Sequence, residues 1–282
     1  MSSPPIHIGQ VLRGRLGNYA IAMKIQETVW FAKSHNDSQV IVKSVTGHLG
    51  IENEQDVLKR FRSRAPYRPL IDEIEDPAQP TTIVLKHLDD QLLDASVKKT
   101  LNRKEIKYVS RRVLEALSIL HKDGYVHTDV KLDNIFINYE EDDGNDDVRF
   151  SDVELGDFET LMDLPWNTAT NIWSFGTSDF NIFRPKTARP KDEDYRLEML
   201  KSQFRYFGPW PGKIREILDE VTIMSLLKFL GLIPPSTMSP FRYVTEREVV
   251  KEDKEFIPKI MQMDWRDRPA AKQLLEDKWF LA

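Results

Sequence analysis

Apolar and polar positions change their period several times along the chain. Residues 11–45 are rich in β-formers, and three runs predict strands: Tyr19 to Ile25, Thr28 to Ala32 and Val40 to Val45. The polar break His35-Asn36-Asp37-Ser38 predicts a hairpin turn before the third run. From 50 to 64 the pattern turns helical, through Glu52, Glu54, Val57, Leu58 and Phe61. Ile71 to Ile74 and Thr81 to Leu88 predict two further strands, split by a turn at Pro77 and Pro80. The first ninety residues therefore read β-β-β-α-β-β. From Asn102 to Lys122, Ile106, Val109, Val113, Leu117 and Leu120 fall on one helical stripe. Two short strands follow, divided by the acidic turn Glu140 to Asp147, and everything after about residue 165 reads helical with loops. There is no internal repeat.

Composition narrows the classes. A chain of 282 residues, 40% hydrophobic, suits one two-lobed domain or two domains with a sizeable core. Absence of cysteine excludes disulfides and thiolate metal sites, and fits a reducing compartment. Residues 1–10 read as a loose leader without the charged and apolar regions of a signal peptide. No apolar run is long enough to span a bilayer; the longest candidate, Ile223 to Ile233, carries Lys228. An intracellular location, cytoplasmic or nuclear, with no membrane partner is expected. The net charge of −5 argues against a nucleic-acid partner, and the basic cluster Lys59 to Arg64 reads as a solvated helix end. No G-x-x-x-x-G-K-[ST] loop is present, which sets P-loop nucleotide hydrolysis aside.

The most informative segment is His127-Thr128-Asp129-Val130-Lys131-Leu132-Asp133-Asn134, between the amphipathic helix and the β-rich Ile135-Phe136-Ile137. A polar turn would explain these residue types, but not the flanks. The octet resembles the catalytic loop of protein kinases, H-R-D-L-x-x-x-N, with Thr128 in place of Arg. The spacing suits phosphoryl transfer, which needs an acceptor for the substrate hydroxyl proton and, a few residues on, an oxygen ligand for Mg²⁺. The resemblance implies that Asp129 orients the hydroxyl, Lys131 steadies the γ-phosphate and Asn134 holds the metal.

Other stretches keep kinase order from about 11 to 280. Val40-Ile41-Val42-Lys43 resembles V-A-I-K, which implies that Lys43 neutralises the α- and β-phosphates. Its helical partner is expected to be Glu54, four residues before Leu58, in preference to Glu52. Ile83 to Leu88 resembles the strand and linker that meet adenine through the backbone, with Leu85 as gatekeeper and His87 and Leu88 beside the base. The metal-binding D-F-G has two candidates, Asp157-Phe158-Glu159 and Asp152-Val153-Glu154; Asp157 is favoured, delivered by Val153 to Gly156. Thr168 to Gly176 resembles the D-I-W-S-x-G helix, with Asn171 for Asp, and Met263 to Ala270 the late D-P-x-x-R-P segment.

Three departures stand beside these. Ala22, Lys24 and Glu27 fall where the glycine loop has its glycines, and Gly14 and Gly17 lie too far upstream to replace them. Only 13 residues separate Asp157 from Asn171, with no A-P-E to meet Arg268, and the anchor helix lacks a long apolar continuation past Gly176. Glu159 at the D-F-G glycine removes backbone freedom. The loss of the loop and of the arginine at Thr128 speaks against control by loop phosphorylation.

The resemblance implies an α+β, two-lobed protein-kinase-like fold: leader 1–10, a small β-rich N-lobe 11–88 and a larger, truncated helical C-lobe 89–282. It implies a serine/threonine protein kinase using ATP and Mg²⁺ on a protein substrate that is not identified. The alternatives are a pseudokinase that binds nucleotide or a partner without transfer, and a truncated product that folds poorly.

Overall fold

In this computed structural model residues 6–45, 49–62, 64, 66–140, 147–158, 167–178 and 194–281 are described. Apolar side chains at every second position, turned to one side, build the first element group. In β1 (Val11–Gly14), β2 (Asn18–Gln26), β3 (Val29–Ser34) and β4 (Gln39–Ser44), the inward positions are Leu12, Tyr19, Ile21, Trp30, Ala32, Val40 and Val42. With β5 (Leu70–Asp76) and β6 (Thr82–Lys86) they close a barrel in the order β1-β2-β3-β4-β6-β5. Ile74 and Val84 complete its core. Closure leaves no free sheet edge.

Strand β1 was not among the strands predicted, because four residues with one buried apolar side chain carry too little pattern. It pairs with β2 and, through Arg13 opposite Asp76, with β5. Gly9 and Gln10, within the segment read as a leader, exchange backbone bonds with Ile21. Gly14 is needed for a close approach: a Cβ there would lie 2.3 Å from Asp72 Oδ2 and 2.9 Å from the Tyr19 ring. The Asp72 carboxylate accepts from Leu16 N at 2.8 Å and Tyr19 Oη at 2.9 Å, which ties the β1–β2 turn to β5.

Strand β4 is buried on both faces after Gln39. Val40 and Val42 face the barrel, so Ile41 and Lys43 project the other way. Helix α1 (Leu49–Arg60) buries Ile51, Glu54, Val57 and Leu58. The basic cluster at its end is exposed as expected, but it is engaged: Arg60 lies over the Tyr125 ring at 5.2 Å, and Arg60 and Arg64 both pair with Asp123.

Strand β7 (Asp90–Gln91) and helix α2 (Leu92–Lys98) were not predicted; they are too short to show a period. Helix α3 (Arg103–Lys122) starts on a capping box, in which Asn102 Oδ1 accepts from Glu105 N and Glu105 Oε2 from Asn102 N. Val109, Val113, Leu117 and Leu120 are buried, each contributing roughly 1.5–3 kcal/mol. The helix ends at Gly124, whose φ of +81° suits glycine. Strand β8 (Ile135–Tyr139) pairs with β7 on one side and with β9 (Phe150–Leu155) on the other, in a small second sheet. Most of the acidic turn between them lies outside the described residues.

Helices α4 (Thr168–Ser178), α5 (Tyr195–Phe207), α6 (Glu220–Gly231), α7 (Lys251–Ile260) and α8 (Ala271–Leu275) complete the chain. The class is α+β, with a β-rich N-terminal region and a helical C-terminal region. The chain divides into two compact units, residues 1–166 and 167–282. The 88/89 lobe boundary read from the sequence falls inside the first unit, between β6 and β7. In the second unit Phe204, Phe229 and Ile233 form one core cluster, and Phe256 stacks on Trp279 with ring centroids 4.4 Å apart. Among the described residues no helix is long and apolar enough to cross a membrane.

Candidate functional site

Lys43 is the meeting point of three elements. Strand β4 delivers it, and its Nζ lies 2.8 Å from Glu54 Oε2 on α1 and 2.6 Å from Asp157 Oδ1 just after β9. Burial works against the charge on Lys43, but Glu54 and then Asp157 outweigh it, and the lysine pKa is raised. Burial pushes the Glu54 carboxyl up while Lys43 pulls it back. Glu52 is exposed. It lies about 200° away from Glu54 round the helix, so one face cannot offer both acids to the lysine.

Asp157 takes a left-handed backbone, φ +64°, a region that Asp visits more readily than most residues. Gly156 N donates to Asn134 O at 2.9 Å, so the strand end carrying Asp157 lies against the turn carrying Asn134. Glu159 lies outside the described residues. Asp152, the alternative to Asp157, sits on β9 instead. It accepts from Asn138 Nδ2 at 2.9 Å and pairs with Lys86 at 3.2 Å.

The octet after α3 is ordered by its own hydrogen bonds. His127 Nδ1 accepts from Asp129 N at 3.2 Å, which leaves Nε2–H to donate to Gly156 O at 3.1 Å. Burial lowers the His127 pKa and keeps the ring neutral. The Phe158 ring lies 4.9 Å from His127 and 5.5 Å from Tyr67, whose hydroxyl donates to Ala116 O at 2.5 Å. Asn134 Nδ2 donates to Asp129 O at 2.8 Å and to Asp129 Oδ2 at 3.0 Å. Lys131 Nζ lies 2.6 Å from the same Oδ2. Burial works against the Lys131 charge, but Asp129, with Asp133 and Asp157, outweighs it and raises the pKa. Asp129, Lys131 and Asn134 thus form one cluster, joined to Lys43, Glu54 and Asp157 through Gly156.

The oxygen donors suit a small hard cation. Among the described residues, Asn134 Oδ1 and Asp157 Oδ2 carry no hydrogen bond. Among these residues no group of three or more His, Cys, Asp or Glu could hold a metal alone. A divalent ion here needs further oxygens from its ligand, which is the habit of Mg²⁺ with phosphates.

In the linker segment, Leu85 is buried on β6, opposite Ile41 and Leu70. His87 packs edge-on to Phe31 at 5.5 Å, and burial lowers its pKa. Leu88 is buried. Lys86 Nζ lies 2.8 Å from Glu154 Oε1, and its carbonyl accepts from Arg68 Nε at 3.0 Å. The expected glycine-loop positions lie in a tight hairpin: Ala22 and Lys24 are within β2, Gln26 pairs with Val29, and Glu27 and Thr28 form the turn. In the second unit Arg268, expected to lack its usual acid, donates to Ala169 O at 2.9 Å and Gln262 O at 2.8 Å and lies 4.6 Å over the Trp173 ring.

Tyr67, Arg68 and Glu154 were not picked out from the sequence. No spacing links them, since they meet only because residues 66–68 run beside β9, through Arg68 N to Leu155 O and Leu155 N to Pro66 O, both at 2.9 Å. The one available signal was an arginine inside the short extended run Pro66-Tyr67-Arg68-Pro69.

Several known proteins are similar to this chain over part of its length. CTD kinase subunit alpha of Schizosaccharomyces pombe (strain 972 / ATCC 24843) is 27% identical over 172 residues, covering 52% of this chain and 28% of that protein. Calcium/calmodulin-dependent protein kinase type 1 of Macrobrachium nipponense is 25% identical over 187 residues, 59% of this chain and 53% of that protein. The serine/threonine-protein kinase US3 homolog of Gallid herpesvirus 2 (strain GA) is 28% identical over 161 residues, 51% and 40%. The matched stretches thus span about half or less of these relatives' lengths. The protein kinase domain family matches residues 9–280, nearly the whole sequence, and the chain belongs to that family.

Proposed function

We propose that this chain is a phosphotransferase that moves the γ-phosphate of Mg-ATP to serine or threonine hydroxyls of proteins. The observation that carries this reading is Lys43 held between Glu54 and Asp157, with the bonded set Asp129, Lys131 and Asn134 one backbone hydrogen bond away. In this reading Lys43 binds the α- and β-phosphates, held in place by Glu54. Asn134 and Asp157 hold Mg²⁺, which would draw off negative charge as the phosphoryl group transfers. Asp129 Oδ2 is fixed by Asn134 and Lys131, and Oδ1, which carries no hydrogen bond among the described residues, accepts the substrate hydroxyl proton. Lys131 steadies the γ-phosphate. Leu85, His87 and Leu88 border the base. Serine/threonine preference rests on the name of the herpesvirus relative, a serine/threonine-protein kinase, and on Lys131 lying two residues after Asp129.

A second reading is a pseudokinase that binds nucleotide or a partner without transfer. It is favoured by the two-residue turn with Glu27 where phosphates would be cradled, and by the 13 residues from Asp157 to Asn171.

Transfer from labelled ATP to a serine/threonine peptide library decides between them. The wild type is expected to label peptides, Asp129→Asn to bind Mg-ATP without transfer, and Lys43→Ala to bind it weakly. Wild-type labelling no greater than that of Asp129→Asn would overturn the kinase reading in favour of the second.

A further inference from the structure

Arg68 is a buried cation with an unusual set of contacts. It is 8% exposed. Its Nε donates to the Lys86 carbonyl at 3.0 Å, and its guanidinium carbon lies 4.1 Å over the Phe136 ring. A Cβ on Gly156 would meet the Phe136 ring at 2.9 Å and Arg68 Cβ at 3.2 Å, so the arginine stem runs along the residue before Asp157. Among the described residues its other nitrogens carry no hydrogen bond and no carboxylate lies within ion-pairing distance. Burial lowers its pKa to about 10, opposed by the more distant charges of Glu54, Glu154 and Asp157.

A buried arginine with a structural role normally spends its five donors on carbonyls and carboxylates. Arg68 spends one. That one goes to the linker residue between Leu85 and His87, and the flat face of the group goes to an aromatic ring two residues after Asn134. A backbone carbonyl that takes an N–H and a ring that takes a planar π-system are the two contacts a nucleobase with an exocyclic amine needs. Cation–π attraction in a desolvated place holds the arginine there.

We propose that Arg68 occupies the nucleobase seat of the proposed ATP site, so that a purine binds only when the guanidinium swings out. The arginine is a built-in competitor for the base. It leaves the phosphate half, Lys43 with Asp157 and Asn134, untouched. The proposal rests on the ATP-site reading above. An open form populated at about one part in ten weakens the apparent affinity about tenfold, the conformational cost that removal of the plug abolishes.

The test is calorimetric titration of the full chain with three probes: Mg-ATP, adenosine, which has only the base end, and Mg-tripolyphosphate, which has only the phosphate end. Arg68→Ala is expected to bind Mg-ATP and adenosine about tenfold more tightly than wild type, with tripolyphosphate binding unchanged. Tighter tripolyphosphate binding in step with the other two would overturn the proposal, because it would assign Arg68 a general electrostatic role. Unchanged Mg-ATP and adenosine affinities in a folded Arg68→Ala protein also overturn it, and absence of all binding to that protein does so as well. The ATP-site reading is judged separately, by whether Lys43→Ala abolishes binding of tripolyphosphate. If Arg68→Ala does not fold, the wild type supplies the readout. The Arg68 Nε–H resonance, assigned by its loss in Arg68→Lys, is expected to be slow to exchange with water and to lose that protection when adenosine saturates the protein. Retained protection at saturation sinks the idea.

Discussion

Lys43 Nζ lies 2.6 Å from Asp157 Oδ1, although the two are 114 positions apart in sequence. The same nitrogen meets Glu54, so one side chain joins the barrel, helix α1 and the end of β9. An ammonium group this buried is stable only because both carboxylates are present.

Removing the cation should therefore unmask Glu54. Lys43→Ala leaves a buried carboxyl without its partner and is expected to lower stability by about 3–5 kcal/mol near neutral pH. Burial already raises the Glu54 pKa above its ordinary 4.5, and in the variant only the more distant Arg68 opposes it. A carboxyl raised on folding contributes stability below its unfolded value and loses it as pH rises through the folded one. The gap between wild type and Lys43→Ala, read from urea midpoints, should narrow as pH is lowered from 8 toward about 5. A gap that widens on acidification contradicts this assignment of the charges.

The hairpin at Glu27 should be an electrostatic handicap for an anionic ligand. Glu27→Gln removes one negative charge with little change in shape. Exposed charges interact by about 0.5–1 kcal/mol, so Mg-ATP is expected to bind two- to fivefold more tightly to the variant in low salt, with the difference shrinking in high salt. Lys24→Ala is expected to act in the opposite sense. Calorimetry at two ionic strengths checks both.

Gly14 should tolerate no side chain. An alanine Cβ would land 2.3 Å from Asp72 Oδ2 and 2.9 Å from the Tyr19 ring, inside contact distance of groups already bonded to one another. Gly14→Ala is expected to cost about 1–3 kcal/mol through overpacking, seen as a drop of several degrees in melting temperature. Gly212→Ala, where a Cβ meets nothing within 4 Å, is the control and should melt close to wild type.

Arg268 should matter for the second unit without any acidic partner from A-P-E. Its donors bridge the Ala169 and Gln262 carbonyls, and its plane covers Trp173. Arg268→Ala is expected to destabilise by about 2–3 kcal/mol, in line with hydrogen bonds made by a charged group. Arg268→Lys should recover little, because a point charge cannot serve two carbonyls and a ring face from one plane. Full recovery by lysine would show that charge alone was needed.

Much of the candidate site was legible because its residues lie in short, locally encoded runs. Asp129, Lys131 and Asn134 share one octet, and Lys43 follows three β-branched residues that favour a strand. Helix α3 was readable for the same reason: its apolar stripe has a spacing that a helix alone brings to one face. The preference for Glu54 over Glu52 followed from position, and the pairing with Lys43 agrees with it. Strand β1 and helix α2 were not legible, being too short for a period to show.

What the amino-acid order settles here is local: period, capping and the spacing of the octet specify which elements form and which chemical groups each one carries. What only tertiary structure decides is who meets whom. The closing of β1 onto β5, the placing of residues 66–68 beside β9, and with it the seating of Arg68 between Phe136 and the Lys86 carbonyl, depend on contacts between distant segments. Such contacts are set by how several buried surfaces pack at once, and no window along the chain contains them.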